Sequence, residues 1–248
     1  MFAPKQINES EVLDDPSMEI DTRLQLLSEL DQLNHNLPVY RIFLQRFFAW
    51  MPSLLSNEQA STPIRILEVG SGSGGLALEI LKYARAHYPH LKLEYSLLET
   101  APEILAWSHE RLTKEGFQAS TFIADERHLK RFAPQSFDFV ISLHVLHHVQ
   151  PMGTLKHMLD DVKRIATNGF FMADCARQLG TTLTTRIVNR VLGTNPVLVG
   201  DAIRSFRRAY TPSEIASLLS ENESPWDCSV KTVSPFPYLI ATGERRGD

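Results

Sequence analysis

Ile66-Leu67-Glu68-Val69-Gly70-Ser71-Gly72-Ser73-Gly74-Gly75 joins an apolar run to a helical pattern through four glycines in six residues. Glycine has no Cβ, so such a stretch turns sharply and lets a ligand lie against the backbone. A strand, a glycine loop and a helix in succession open a βαβ unit. Two patterns fit. G-x-G-x-x-G runs through Gly70, Gly72 and Gly75 and is the dinucleotide-binding pattern. E-x-G-x-G-x-G runs through Glu68, Gly70, Gly72 and Gly74.

Beyond the loop, short β-rich runs alternate with helical periodicity. Strands are predicted at 64–69, 92–98, 119–124, 137–143 and 168–173, and helices at 76–87, 103–115 and 152–165. This alternation implies a parallel sheet with helices on both faces. The end of the chain differs, because 228–233 and 238–242 are strands with only Ser234-Pro235-Phe236-Pro237 between them, close enough to pair as an antiparallel hairpin. Upstream, Leu24, Leu27, Leu30, Leu33 and Leu37, then Ile42, Phe43, Phe47 and Trp50, mark two amphipathic helices broken near Pro38. A polar stretch from Pro52 to Pro63 reads as a linker.

With these features the chain resembles the class I S-adenosylmethionine-dependent methyltransferases. Glu68 with Gly70, Gly72 and Gly74 is followed in order by Glu99 ending the second strand, Asp125 after the third, and Phe137-Asp138-Phe139-Val140-Ile141-Ser142 as the fourth. The resemblance implies an α/β, Rossmann-like, seven-stranded and mostly parallel sheet with a C-terminal antiparallel hairpin. It implies S-adenosyl-L-methionine as cofactor, with Glu68 and the loop backbone, Ser71 included, on the methionine part. Glu99 would accept the ribose hydroxyls, and Asp125 or its neighbouring backbone the adenine amino group. Thr100, Glu126, Leu143 and, from the N-terminal helices, Arg41 complete the expected cofactor set. A nicotinamide dehydrogenase shares the glycine loop and the acid, but Glu68, the terminal hairpin and the absence of a separate catalytic domain speak against it.

Residues 1–62 then read as an N-terminal helical lid and linker, with Asn34, Tyr40 and Arg41 to watch, and 63–248 as the methyltransferase core. Residues 179–208, apolar with interspersed arginines, read as a substrate-lid insertion suited to an apolar acceptor; the same segment suits a contact between two copies of the chain. Arg204, Arg207 and Arg208 share a helical face by their spacing, ordinarily a solvated one. Leu13-Asp14-Asp15-Pro16, Leu30-Asp31-Gln32-Leu33-Asn34 and Arg207-Arg208-Ala209-Tyr210-Thr211-Pro212-Ser213-Glu214-Ile215 resemble parts of a bacterial methyltransferase group associated with polyketide or phenolic-lipid pathways. That resemblance implies a small aromatic or lipid-like acceptor.

His144, His147 and His148 follow the fourth strand. For a phenol of pKa about 10 a nearby histidine is a suitable base, and His144 is the residue chosen. The quinone-biosynthesis O-methyltransferases read roughly E-x-x-E-H in the similar segment and are associated with a metal. Here both acidic places are histidine, so a loop packed by its own hydrogen bonds is expected and no metal ligand is assigned. O-methylation is favoured over C-methylation.

Composition narrows the remaining classes. A net charge of −4 with 22% charged residues lacks the basic excess of a nucleic-acid footprint, and no N-P-P-Y motif follows the fourth strand, which weakens a macromolecular acceptor. A non-catalytic scaffold has no need of an intact glycine loop and both acidic positions. Two cysteines make no disulfide framework, the first residues have no signal-peptide pattern, and no stretch approaches the roughly 18–20 apolar residues of a membrane span. A cytoplasmic enzyme with a small-molecule acceptor, no nucleic acid and no stable membrane insertion is expected.

Overall fold

The computed structural model describes residues 3–51, 62–181, 185, 193–220, 225–233 and 236–246, with backbone alone at 126 and 127. Helices α1 (Ile20–Asn36) and α2 (Val39–Trp50) meet at Leu37-Pro38. Proline removes a backbone donor and disfavours helix in the residue before it, which is the break anticipated from sequence. α2 buries Val39, Tyr40, Phe43, Leu44, Phe47 and Phe48.

The elements that follow are β1 (Ile64–Val69), α3 (Gly75–His87), β2 (Leu93–Glu99), α4 (Pro102–Lys114), β3 (Ala119–Ile123), β4 (Phe137–Leu143), α5 (Met152–Ile165) and β5 (Ala166–Cys175). Then come α6 (Pro196–Arg208), α7 (Pro212–Leu219), β6 (Trp226–Val233) and β7 (Tyr238–Arg245). All seven strands form one sheet in the order β3-β2-β1-β4-β5-β7-β6. β1 pairs in parallel with β2 and β4, whereas β7 runs antiparallel to both β5 and β6. The strand order reverses direction between β1 and β4, and ligands of open α/β sheets bind at the carboxyl ends of the strands flanking such a point.

Successive strand residues point to opposite faces, and the core divides accordingly. Ile66, Leu97, Ile141 and Phe171 pack with α2 and α3, while Leu67, Leu98, Val140 and Phe170 pack with α5 and α7. α2 is therefore a layer of the core. Phe47 is fully buried, its ring 5.5 Å from that of Phe171 and 6.3 Å from that of Phe139, and Trp50 lies over Gly169, where a Cβ would come 2.6 Å from the indole. Packing thus runs continuously across the linker expected at 52–63, most of which lies outside the described residues.

Of the 179–208 insertion, residues 182–184 and 186–192 lie outside the described residues. The part that is described ends in α6. Its arginines divide: Arg208 is buried against Asp14, Arg204 is partly exposed and pairs with Asp201, and Arg207 stays partly exposed with its guanidinium 3.7 Å from Glu9. α6 is clasped by the N-terminal segment, since Asp201 accepts the amides of Val12 and Leu13 at 2.8 and 3.0 Å. α7 opens with a capping box formed by Thr211 and Glu214. Both carboxylate oxygens of Glu214 also accept from Nη2 of the buried Arg177, at 2.6 and 2.7 Å.

Candidate active site

The glycine loop leaves β1 with Gly70 at φ 68°, a left-handed conformation, and the amides of Gly70 and Ser71 both donate to Leu98 at the end of β2. A Cβ on Gly70 would lie 2.5 Å from Val145 Cγ2, so backbone shape and close packing both require glycine. Gly72 is different: a Cβ there would meet nothing within 4 Å, so this face of the loop is open. Glu99 ties loop to strand. Its Oε2 accepts from the Gly72 amide at 2.9 Å, and its Oε1 from the Thr100 amide and hydroxyl at 2.8 and 2.9 Å. Past β3, Asp125 pairs with His128 at 2.6 Å and borders a cleft of about 550 Å³ that also takes in Thr100, Ile123, Ala124, Lys130 and Arg131. The side chain of Glu126 lies outside the described residues, and Leu143 ends β4, half-buried.

Glu68 is buried, and its Oε2 accepts from the Tyr95 hydroxyl at 2.7 Å. Burial pushes its carboxyl up to about 8, with the charges of Asp31 and Glu99 adding to the rise. The unfolded chain ionises near 4.5 while the folded one keeps its proton to about 8, so stability falls as pH rises through that window. Glu68→Gln removes the titration. Its stability relative to the parent should rise with pH between 5 and 8 by up to about 1.4 kcal/mol per unit; denaturant melts at several pH values measure it, and a pH-independent difference would refute the neutral carboxyl.

Asp31 of α1 is the hub that joins the N-terminal helices to the loop. Its Oδ1 accepts from Tyr40 at 2.7 Å and Ser73 at 2.6 Å, and its Oδ2 from Arg111 at 2.7 Å. Arg111 reaches on to the Ser73 carbonyl. Arg41 departs from its expected place: one residue turns a helix by about 100°, so Tyr40 faces the loop while Arg41 is exposed. Asn34, also expected near the cleft, is buried 3.5 Å from the Tyr40 hydroxyl.

Beyond β4 the three histidines separate. His144 has φ 60°, donates its amide to Ala173 and stacks on Tyr238 with 5.4 Å between ring centroids. Burial pushes it down to about 4 despite the opposing charge of Asp174, so the ring is neutral at physiological pH. Its Nε2 is buried without a hydrogen-bond partner among the described residues. His147 is held at both nitrogens, Nδ1 by Asp174 at 2.7 Å and Nε2 by Glu11 at 3.1 Å. Burial opposes its charge, but Asp174 prevails and raises it well above the ordinary histidine value. His148 Nδ1 lies 3.1 Å from Asp14, whose carboxyl is held at about 2, against burial, by His148 and Arg208. Sequence reasoning did not assign Glu11, Asp31, Arg111 or Asp174 to the site. The string around Asp14 was visible only as a resemblance, since partners more than 130 residues apart leave no local pattern.

Seven buried side-chain atoms have no hydrogen-bond partner among the described residues, and three of them, Ser71 Oγ, Ser142 Oγ and His144 Nε2, sit at the carboxyl ends of β1 and β4. Buried polar groups left unpaired are uncommon and call for an explanation, a bound ligand being one. The reversal of strand order lies between the same two strands.

Residues 66–169 match the family described as "Methyltransferase domain". Comparison by sequence with curated proteins gives no match. Among solved structures, the plantazolicin methyltransferase BpumL in complex with SAH aligns with TM-score 0.64 and 14% identity over 94% of this chain and 92% of that one. The magnesium protoporphyrin IX methyltransferase ChlM from Synechocystis PCC 6803 with bound SAH gives TM-score 0.55 and 13% identity over 94% and 91%. The CurJ carbon methyltransferase gives 0.58 and 16% over 84% of this chain, which spans only 55% of that one. At such identities the likeness is one of fold. The matched domain over residues 66–169, carried on this fold, is that of a methyltransferase, an enzyme that takes its methyl group from S-adenosylmethionine.

Proposed function

We propose that the protein methylates a small aromatic or lipid-like acceptor, on oxygen in preference to carbon. The observation that carries this reading is the set of unpartnered atoms at the ends of β1 and β4, His144 Nε2 among them. The cofactor fits the residues present. Glu99 keeps lone pairs for ribose hydroxyls beyond its backbone bonds, Thr100 and Asp125 border the adjoining cleft, and the open face of Gly72 with Ser71 Oγ receives the methionine part beside Glu68, Gly70 and Gly74. Leu143 and Glu126 flank this path in sequence. Arg41 is left out of the set.

The sulfonium supplies an already activated methyl group, so much of the rate depends on holding the acceptor in line. Tyr238, stacked on His144 and 6.4 Å from the ring of Phe206, offers an aromatic wall for such an acceptor. With His144 near 4 and a phenol near 10, complete deprotonation before transfer would cost about 8 kcal/mol. The proton therefore passes from the acceptor hydroxyl to Nε2 as the oxygen is methylated. His147, with both nitrogens engaged, has no place for it. α1, which Asp31 ties to the glycine loop, and α6, the described end of the 179–208 segment, cover this site in this reading and keep water out.

Calorimetric titration with S-adenosylmethionine is expected to show binding and titration with NADH none; the reverse result would overturn the reading. His144→Asn tolerates the left-handed backbone and removes the basic nitrogen. It should lower kcat with a phenolic acceptor about 10²- to 10⁴-fold at unchanged cofactor affinity, and full turnover would exclude His144 as base.

A further inference from the structure

His147 and His148 turn away from His144 and meet the N-terminal segment, where Glu11 takes the third place. We propose that Glu11, His147 and His148 form a binding site for a divalent transition metal ion, Zn²⁺ in the first instance.

Glu11 Oε1 lies 3.1 Å from His147 Nε2 and 3.9 Å from His148 Nε2, and one ligand atom from each residue falls within 4.8 Å of the others. A tetrahedral ion with bonds of about 2.0–2.1 Å separates its ligand atoms by roughly 3.3 Å. The two carboxylate–imidazole distances, 3.1 and 3.9 Å, lie on either side of that separation.

The far side of each ring supports the same assignment. His147 Nδ1 is held by Asp174 and His148 Nδ1 by Asp14, at 2.7 and 3.1 Å. A carboxylate on one ring nitrogen fixes the ring and leaves the other as ligand, the arrangement typical of metal-bound histidine. Two histidines in succession, both held in this way and both turned toward one carboxylate, go beyond what packing requires.

Charge points in the same direction. Glu11, Asp14 and Asp174 carry three negative charges against the single positive charge of Arg208 beside Asp14. With both imidazoles neutral, a divalent ion closes the balance of minus two. Metal-free, a proton on His147 bridges Glu11 and Asp174, and binding expels it. Two nitrogens and one oxygen suit zinc and its neighbours rather than magnesium or calcium. Glu11 and His147 are buried while the His148 side chain is 31% exposed, so the ion enters, and keeps its open coordination position, on the His148 side. Cys175 is not in the set, since its thiol approaches Nδ1 of His147, the nitrogen that Asp174 holds.

The full chain, stripped with a chelator and without any methyl donor, is titrated with Co²⁺ at pH 8. One equivalent should bind with release of a proton, with the visible absorption of a tetrahedral ion and no thiolate charge-transfer band, and Zn²⁺ should displace it. His148→Ala, partly exposed and least disruptive, should weaken binding more than 100-fold, and Asp14→Asn about 10- to 100-fold. His128→Ala, at the exposed pair with Asp125, should leave it unchanged. Absence of stoichiometric uptake, equal affinity in His148→Ala, or loss of the ion in Cys175→Ser would overturn the proposal. The readout is metal uptake, so it stands apart from the methyl-transfer reading.

Discussion

Gly70→Ala is expected to lower stability by about 2–5 kcal/mol and to abolish measurable cofactor binding. Left-handed backbone costs an L-residue about 1–2 kcal/mol, and a Cβ placed 2.5 Å from Val145 Cγ2 adds an overpacking cost of about 1–3 kcal/mol. Relief requires the loop to move, which pulls the Gly70 and Ser71 amides away from the Leu98 carbonyl. Gly72→Ala separates the two effects. Its Cβ meets nothing, so the loss of stability stays near the backbone term alone, yet the methyl group stands on the open face proposed for the cofactor. Thermal melts and calorimetry on both variants give the comparison; a Gly72→Ala protein that binds S-adenosylmethionine like the parent would remove the loop from the proposed site.

Asp31→Ala should cost about 3–5 kcal/mol, the range for breaking a buried ion pair from one side. The Tyr40 and Ser73 hydroxyls and the Arg111 guanidinium lose their common acceptor together. Arg111 retains the Ser73 carbonyl, which makes Arg111→Leu in the same background the informative partner. If the ion pair dominates, the double variant recovers much of the loss in urea melts. Equal stability of Asp31→Ala and the parent would mean that the hub contributes nothing.

The central sheet was legible because its signals are local. β1 and β4 are short apolar runs bounded by turn residues, and both occupy the predicted residues, 64–69 and 137–143. β5 extends two residues beyond its prediction at each end, because pairing with β4 and β7 recruits residues whose own side chains are poor strand signals, among them Asp174. The terminal hairpin followed from the lack of a helix between two runs. Insertion of β7 between β5 and β6 is a finding of the structure, since a hairpin read from two runs does not say which of its strands joins the sheet.

Charged residues were the hard part. Asp31 reads as one acid on the polar side of an amphipathic helix, and nothing nearby reveals that Ser73 and Arg111, 42 and 80 residues away, converge on it. Arg207 and Arg208 read as solvated for the same reason, and meet acids from the opposite end of the chain. Periodicity reports which way a side chain faces relative to its own element; it carries no information on what arrives there from elsewhere.

The clasp between the N-terminal segment and α6 sets an order of assembly. Residues 7 to 14 are synthesised before the groups that hold them, Asp201, Ser205, Arg207 and Arg208, which emerge almost two hundred residues later. Contacts of such long sequence separation form late, after the loop-closure entropy has been overcome by other packing. The central strands and their glycine loop can therefore be in place while the leading segment is still unattached, and the histidines beyond β4 gain their last partner, Glu11, only once α6 has emerged to hold that segment.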